Sequence, residues 1–257
     1  MSLAGDAATS PGFVVELLGE DALLLRFDFN GAADEETNRH VHALASRIQA
    51  RRPAWLRELV PAYASLALQV DVEALAGGHD ADPLEYARRW LDALCRDQTL
   101  QSSTAAQAAE GDIIEVPVCY GGTYGPDLEA VAQHAGTSVD DVVERHAGGR
   151  YTVAMLGFAP GFPYLLGLDP ALAMPRMDTP RTRVPAGSVG IGGAQTGIYP
   201  REGPGGWQLI GRTPLALFDP TRDAPSLLQP GQRVRFVAID AAAFDKMAAS
   251  AKRRRAP

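Results

Sequence analysis

The chain has 257 residues, 46% hydrophobic and 21% charged, with a formal net charge of −7; this suits one large soluble domain or two ordinary ones. The negative balance argues against nonspecific nucleic-acid binding, and no apolar run reaches the roughly 18 residues that a membrane-spanning helix needs. Residues 1–11 lack a basic segment leading into an apolar core, so no signal peptide is expected.

Residues 13–18 and 22–29 are apolar and β-prone on either side of Gly19, Glu20 and Asp21, the pattern of a hairpin. Residues 36–50 place Val41, Leu44, Ala45 and Ile48 on one helical face. Two short β-like runs, 56–60 and 63–70, are broken at Pro61. Pro83 suits a first helical turn, and Leu84, Ala87, Leu91 and Leu94 then fall on one side. Residues 98–110 are polar and rich in Ala and Ser, a linker composition, and residues 113–118 read as a strand. With the leading run set aside, the order is β-α-β-β-α-β, the split-βαβ, ferredoxin-like pattern. The first domain is expected over residues 12–100 and a second over 111–245.

Pro126 opens a short helix that runs to 135, and Ser138 to Asp141 has the form of a capping box for another, which Gly148 and Gly149 end. Residues 150–156 read as a strand. From Gly157 to Pro214 the chain holds 12 Gly and 9 Pro in 58 residues. That fraction excludes regular helix, but Phe158, Phe162, Tyr164, Tyr199 and Trp207 argue against disorder, which is poor in aromatics. An ordered, irregular loop system is expected, its turns fixed by glycine and proline and its walls made by aromatics; such segments are usually functional. Strands are expected again at 207–210, 215–218 and 233–239, and the many short strands suggest a closed or nearly closed β-barrel. The basic run from Lys252 to Arg255 reads as a solvated tail.

Four segments carry a resemblance to a known family: GFAPGFPYL at 157–165, PRTRVPAGSV at 180–189, GAQTGIYP at 193–200 and PGGWQLIGRTP at 204–214. ELVPAY at 58–63, PVCYGG at 117–122 and GPD at 125–127 add to it. In these motifs the chain resembles the KipI or allophanate-hydrolase-subunit-1 family, the B-type subunit of bacterial 5-oxoprolinase. The resemblance implies an α+β protein with a ferredoxin-like N-terminal domain followed by a cyclophilin-like β-barrel. It also implies two partners, a KipA-type (C-type) subunit and a LamB/YcsF-type (A-type) subunit, and the three together open 5-oxoproline to glutamate with ATP. Other members suggest a urea- or allophanate-related carboxyltransferase or hydrolase subunit, or an inhibitor that binds a sensor histidine kinase. A cytoplasmic location and a chain inactive by itself follow from the first reading.

A 5-oxoproline lactam is a poor electrophile, so its site needs oxyanion donors, cations and a group to orient water. Arg181 and Arg183 suit a carboxylate or phosphate bidentately, or else staple loops to backbone carbonyls. Gln195, between small residues, can donate and accept towards a substrate. Tyr199 and Trp207 can wall a pocket or pack the core. Ser188 lacks the GxSxG elbow of a nucleophile, so a substrate contact suits it better. His146, near a helix end, is a candidate acid or base, with a core or capping role as the alternative. Gln195, Arg183 and His146 are thus the catalytic candidates, and Arg181, Tyr199, Trp207 and Ser188 the substrate-binding ones. Gln195→Ala and Arg183→Ala are expected to lower activity without unfolding the chain.

No metal site is expected: His40 and His42 point apart on a helix, and His79 and His134 read as ordinary loop or surface residues. Cys95 and Cys119 are far apart, which favours free thiols. The run Gly190-Ile-Gly-Gly193 lacks dinucleotide-loop spacing, so its glycines are read as turns or close backbone approach. The lysines are Lys246 and Lys252, with no GxxxxGK(S/T) loop, so which member of the complex binds ATP stays open.

Overall fold

Alternating side chains make the first hairpin. In the computed structural model, which describes residues 13–27, 34–76, 82–96 and 113–255, β1 (Phe13–Leu17) pairs with β2 (Ala22–Phe27). Helix α1 (Glu35–Ala50) starts at Asp34, whose carboxylate accepts from the Thr37 N–H at 2.6 Å. It buries Val41, Leu44 and Ile48, and also Asn38, whose Nδ2 donates to the Ala62 and Tyr63 carbonyls at 3.1 and 3.2 Å. A buried amide is tolerated there because its donors are used. Strands β3 (Leu56–Pro61) and β4 (Ser65–Val70) follow, then the short helix α2 (Val72–Ala76) and helix α3 (Pro83–Arg96). The last buries Leu84, Ala87, Leu91 and Leu94, the four positions that its spacing predicts. Each buried leucine contributes about 1.5–3 kcal/mol.

The first sheet has the order β1-β2-β4-β3, with every pair antiparallel. Strands β2 and β3 therefore run parallel with β4 between them, and α1 makes the crossover of a split βαβ unit. One expectation is corrected here. The strand counted last in the β-α-β-β-α-β order is β5 (Ile114–Tyr120), and it pairs in the second unit. The edge beside β2 belongs to β1, which a four-residue turn brings into register at little loop-closure cost.

The chain divides into two units, residues 1–110 and 111–257, each with its own apolar core. In the second, helices α4 (Leu128–Ala135) and α5 (Val139–Gly148) precede β6 (Tyr151–Leu156) and β7 (Pro163–Leu166). Then come β8 (Arg181–Val184), β9 (Ser188–Gly192), β10 (Gln195–Ile198), β11 (Gly203–Gly205) and β12 (Gln208–Arg212). Strand β13 (Arg233–Ile239) and helix α6 (Ala241–Arg255) close the chain. Seven strands form a closed barrel in the order β10-β7-β6-β13-β5-β12-β9, and β8 with β11 makes a separate two-stranded flap.

The Gly/Pro-rich stretch is thus less irregular than its composition suggests: β7, β9, β10 and β12, four of the seven barrel strands, come from it. Glycine serves there as packing space, because β9 is buried at all five positions and a Cβ on Gly192 would stand 2.5 Å from the Trp207 indole. The strand expected at 215–218 is reduced to a single bridge between Phe218 and Ser226. Ser138 caps α5 by accepting from the Asp141 N–H at 3.1 Å, but the Asp141 carboxylate turns to the Thr137 hydroxyl and to Arg145. The backbone of Lys252–Arg255, expected as a tail, is the end of α6; those side chains, His79, and the proposed linker at 98–110 lie outside the described residues. Among the described residues no helix is long and apolar enough to cross a membrane.

Candidate functional site

The GFAPGFPYL segment enters β7 through a tight turn. The Ala159 N–H donates to the Gly157 carbonyl at 2.7 Å, and Phe158, between them, has φ 64°. An i-to-i+2 bond across a positive φ is the rare γ-turn, and such backbone strain costs on the order of 1–3 kcal/mol. Phe158 is the one non-glycine residue with positive φ among those described, and its ring is 65% exposed. Strain of this kind persists where the surroundings enforce it, often at a site. Here Phe162 lies edge-on to Phe158 at 5.5 Å, and Tyr199 does so at 6.3 Å.

Beneath Phe158 lies a pocket of about 160 Å³. Its walls are aromatic: Phe162 packs edge-on against Tyr199 at 5.2 Å and against Trp207 at 5.5 Å, and Tyr164 meets Trp207 at 5.8 Å. These edge-to-face contacts hold the rings in fixed orientations. Two glycines make room for them: a Cβ on Gly197 would crowd Phe162 and Trp207, and one on Gly205 would collide with the Tyr199 hydroxyl. Burial pushes the Tyr199 hydroxyl pKa up, partly opposed by a hydrogen bond from the Trp207 backbone. Burial also raises that of Tyr164, opposed by the Arg176 charge. Met177 and Pro180 complete one side, and the Met177 N–H donates to the Gly206 carbonyl at 2.7 Å. The pocket's cation is Arg176, whose guanidinium lies 5.7 Å over the Trp207 ring. No carboxylate among the described residues pairs with it.

Of the sequence candidates, Tyr199 and Trp207 line this pocket, nearly buried at 3% and 5% exposure. The others do not. Arg181 donates to Asp127 at 2.6 Å, and the other Asp127 oxygen accepts from the Leu209 N–H at 2.6 Å. Arg181 therefore fastens its loop to the start of α4 and, through Asp127, to β12; it staples, but to a carboxylate and the Met177 sulfur instead of the backbone carbonyls expected. Arg183 pairs with Glu202 at 2.8 Å across the flap and is largely exposed. Gln195 is half-buried at the start of β10, opposite Gly192. Ser188 is buried in β9.

His146 has no exposed surface and sits in the barrel core. Its Nε2 is 3.0 Å from the Thr196 hydroxyl, which itself donates to the Gly190 carbonyl at 3.0 Å. With that hydrogen committed, Nε2 must be the donor, and Nδ1 accepts from the Tyr120 hydroxyl at 2.8 Å. The ring also stacks on Phe236 at 4.5 Å. The neutral imidazole is thus fully partnered, and burial lowers its pKa to about 3. The core alternative describes this position; a ring without surface does not meet a substrate in this conformation. Cys119 is buried and Cys95 half-buried, and burial raises both thiols. Among the described residues no cluster of three His, Cys, Asp or Glu forms a metal centre.

Of the pocket's side chains, Arg176 and Met177 escape sequence reasoning. Arg176 lies outside the resemblance motifs, and Phe158 stands out only as one aromatic among five. Arg176 is one of five arginines between Gly157 and Pro214, so residue type alone does not single it out.

The family described as carboxyltransferase domain, subdomain C and D, matches residues 13–228. The B subunit of 5-oxoprolinase from Bacillus subtilis is 42% identical over 231 residues, 88% of this chain and 93% of that protein. The B subunit of 5-oxoprolinase from Escherichia coli O157:H7 is 57% identical over 147 residues, 57% of this chain and 67% of that one. Among solved structures, TTHA0988 aligns with a TM-score of 0.69 at 39% identity, over 86% of this chain. This chain spans 40% of that longer one.

Proposed function

This chain belongs to the carboxyltransferase-domain family of subdomains C and D, and we propose on that basis that it is the B-type subunit of an ATP-dependent 5-oxoprolinase. The observation that carries the reading is its likeness to the Bacillus subtilis 5-oxoprolinase B subunit along 88% of this chain and 93% of that one. In this reading the protein is cytoplasmic and works with a KipA-type and a LamB/YcsF-type partner. It contributes binding surface to a shared site and is inactive alone. The first unit's sheet order, with a split βαβ core, supports a ferredoxin-like class, and the closed seven-stranded barrel supports a cyclophilin-like one.

The aromatic pocket does not fit ATP. It offers one guanidinium for a triphosphate and room for little more than a single small ring. Both lysines, Lys246 and Lys252, fall in α6, away from any glycine-rich phosphate loop. We therefore place ATP outside this pocket. Tyr199, Trp207 and Arg176 are the substrate contacts of this proposal. Gln195 and Arg183, half-buried and exposed respectively, are available to a partner. Ser188, Arg181 and His146 serve the barrel.

The test is reconstitution. Glutamate release from 5-oxoproline and ATP is expected to require this chain together with both partners. Equal release without it ends the proposal. The family's carboxyltransferase description favours a second reading, carboxyl transfer to a urea-type amide. That chemistry needs a biotin carrier, and urea-dependent turnover with a biotin-bearing partner separates it from the first.

A further inference from the structure

We propose that the pocket beneath Phe158 binds a small planar carboxylate, with Arg176 as the anion-binding group and Phe162, Tyr199 and Trp207 as its walls. The volume fits one small ring: about 160 Å³ here, against the roughly 150 Å³ that suffices for benzene in an apolar cavity. The edge-on aromatic walls present flat surfaces, which favour a planar or nearly planar ligand. Arg176 sets the charge. Its guanidinium rests over the Trp207 face at 5.7 Å and has no carboxylate partner among the described residues. A planar fork of donors held at the edge of an apolar slot matches one carboxylate bidentately. A phosphate dianion would leave charge uncompensated, since no second cation lines the pocket.

Phe158 marks the open side. A strained γ-turn holds an exposed aromatic at the mouth instead of relaxing to bury it. Packing with Phe162 at 5.5 Å couples that turn to the pocket wall. Phe158 and Trp207 line the same pocket, so a ligand there adds a contact to the exposed ring.

The choice of 5-oxoproline as probe rests on the function proposed above. The 257-residue chain, labelled with nitrogen-15, is titrated with 5-oxoproline and in parallel with 2-pyrrolidinone, the same lactam ring without its carboxylate. The indole Nε1–H of Trp207, identified by its loss in Trp207→Phe, is the reporter. Saturable shifts of that resonance are expected with 5-oxoproline, at least about tenfold tighter than with the neutral lactam. Arg176→Gln is expected to abolish that difference while leaving the thermal transition in place, because the side chain is exposed. Equal affinity for both lactams, an unaltered response in Arg176→Gln, or no shift at Trp207 overturns the site. Failure of the site and failure of the function are separable. Reconstituted turnover with an unchanged KM in Arg176→Gln removes the site and keeps the function. Carboxylate binding at Trp207 in a chain that adds nothing to 5-oxoproline hydrolysis does the reverse.

Discussion

At the scale of single residues, His146 makes the stability of the second unit depend on pH. The imidazole titrates near 6.5 in an unfolded chain and near 3 in the folded one, because burial opposes its charge. Between those values the unfolded state binds the extra proton, so stability is full above pH 6.5 and falls as the pH drops towards 3. From pH 6.5 to 5 the loss approaches about 2 kcal/mol. The carboxylate of Asp141, held low by the Thr137 hydroxyl and then by Arg145, adds its own loss only below about pH 5, where the ordinary carboxylate range begins. Urea unfolding at pH 7.5, 6 and 5 is expected to show the slope in the wild type and a flatter one in His146→Gln. Parallel slopes would mean that the ring is hydrated in solution. The two arginines of the PRTRVPAGSV segment differ in the same terms. Arg181→Ala leaves Asp127 without its cation in a largely buried position and is expected to cost about 1–3 kcal/mol. Arg183→Ala, on the exposed flap, is expected to leave the melting temperature unchanged and to lower the turnover of the complex. Calorimetry and turnover on the same two preparations read both effects.

At the scale of elements, β9 and β12 meet through the absence of a side chain. Gly192 lets the Trp207 indole lie on the strand, so Gly192→Ala is expected to displace that ring and to destabilise by about 1–3 kcal/mol through overpacking. A shifted Trp207 fluorescence alongside a lowered midpoint is the expected pair of signs; neither changing would mean that the barrel yields at no cost. This position also explains what is legible in the sequence. Helix α3 can be read to the residue, because a period of 3.6 is local and its four apolar positions are the buried ones. The aromatic pocket is legible in outline, because rings in a Gly/Pro-rich stretch must bury somewhere. Of its barrel strands only β12 is anticipated, by the run at 207–210; β7, β9 and β10 are four or five residues long without clear alternation, and closure depends on partners far along the chain. Local pattern puts strand β5 in the wrong sheet for the same reason, since its parallel partner β13 lies more than a hundred residues on. Arg176 and the burial of His146 depend on three-dimensional neighbours that residue type and spacing do not encode.

At the scale of the molecule, the candidate site among the described residues lacks a full set of reacting groups for lactam opening. Ser188 and His146 are buried, no metal cluster is formed, and the pocket holds one cation among aromatics. Opening a lactam requires an activated carbonyl oxygen and a positioned water, and neither a general base nor a second cation lines this pocket. The chain alone is therefore expected to bind 5-oxoproline and to release no glutamate from it, even with ATP and magnesium supplied. Addition of the two partners is expected to restore release, with a KM that rises in Arg176→Gln while kcat changes less, because that contact is made to ground state and transition state alike. Measurable ATP-dependent glutamate release by the purified chain would contradict this division of labour, and a loss confined to kcat would move Arg176 from binding into the chemical step.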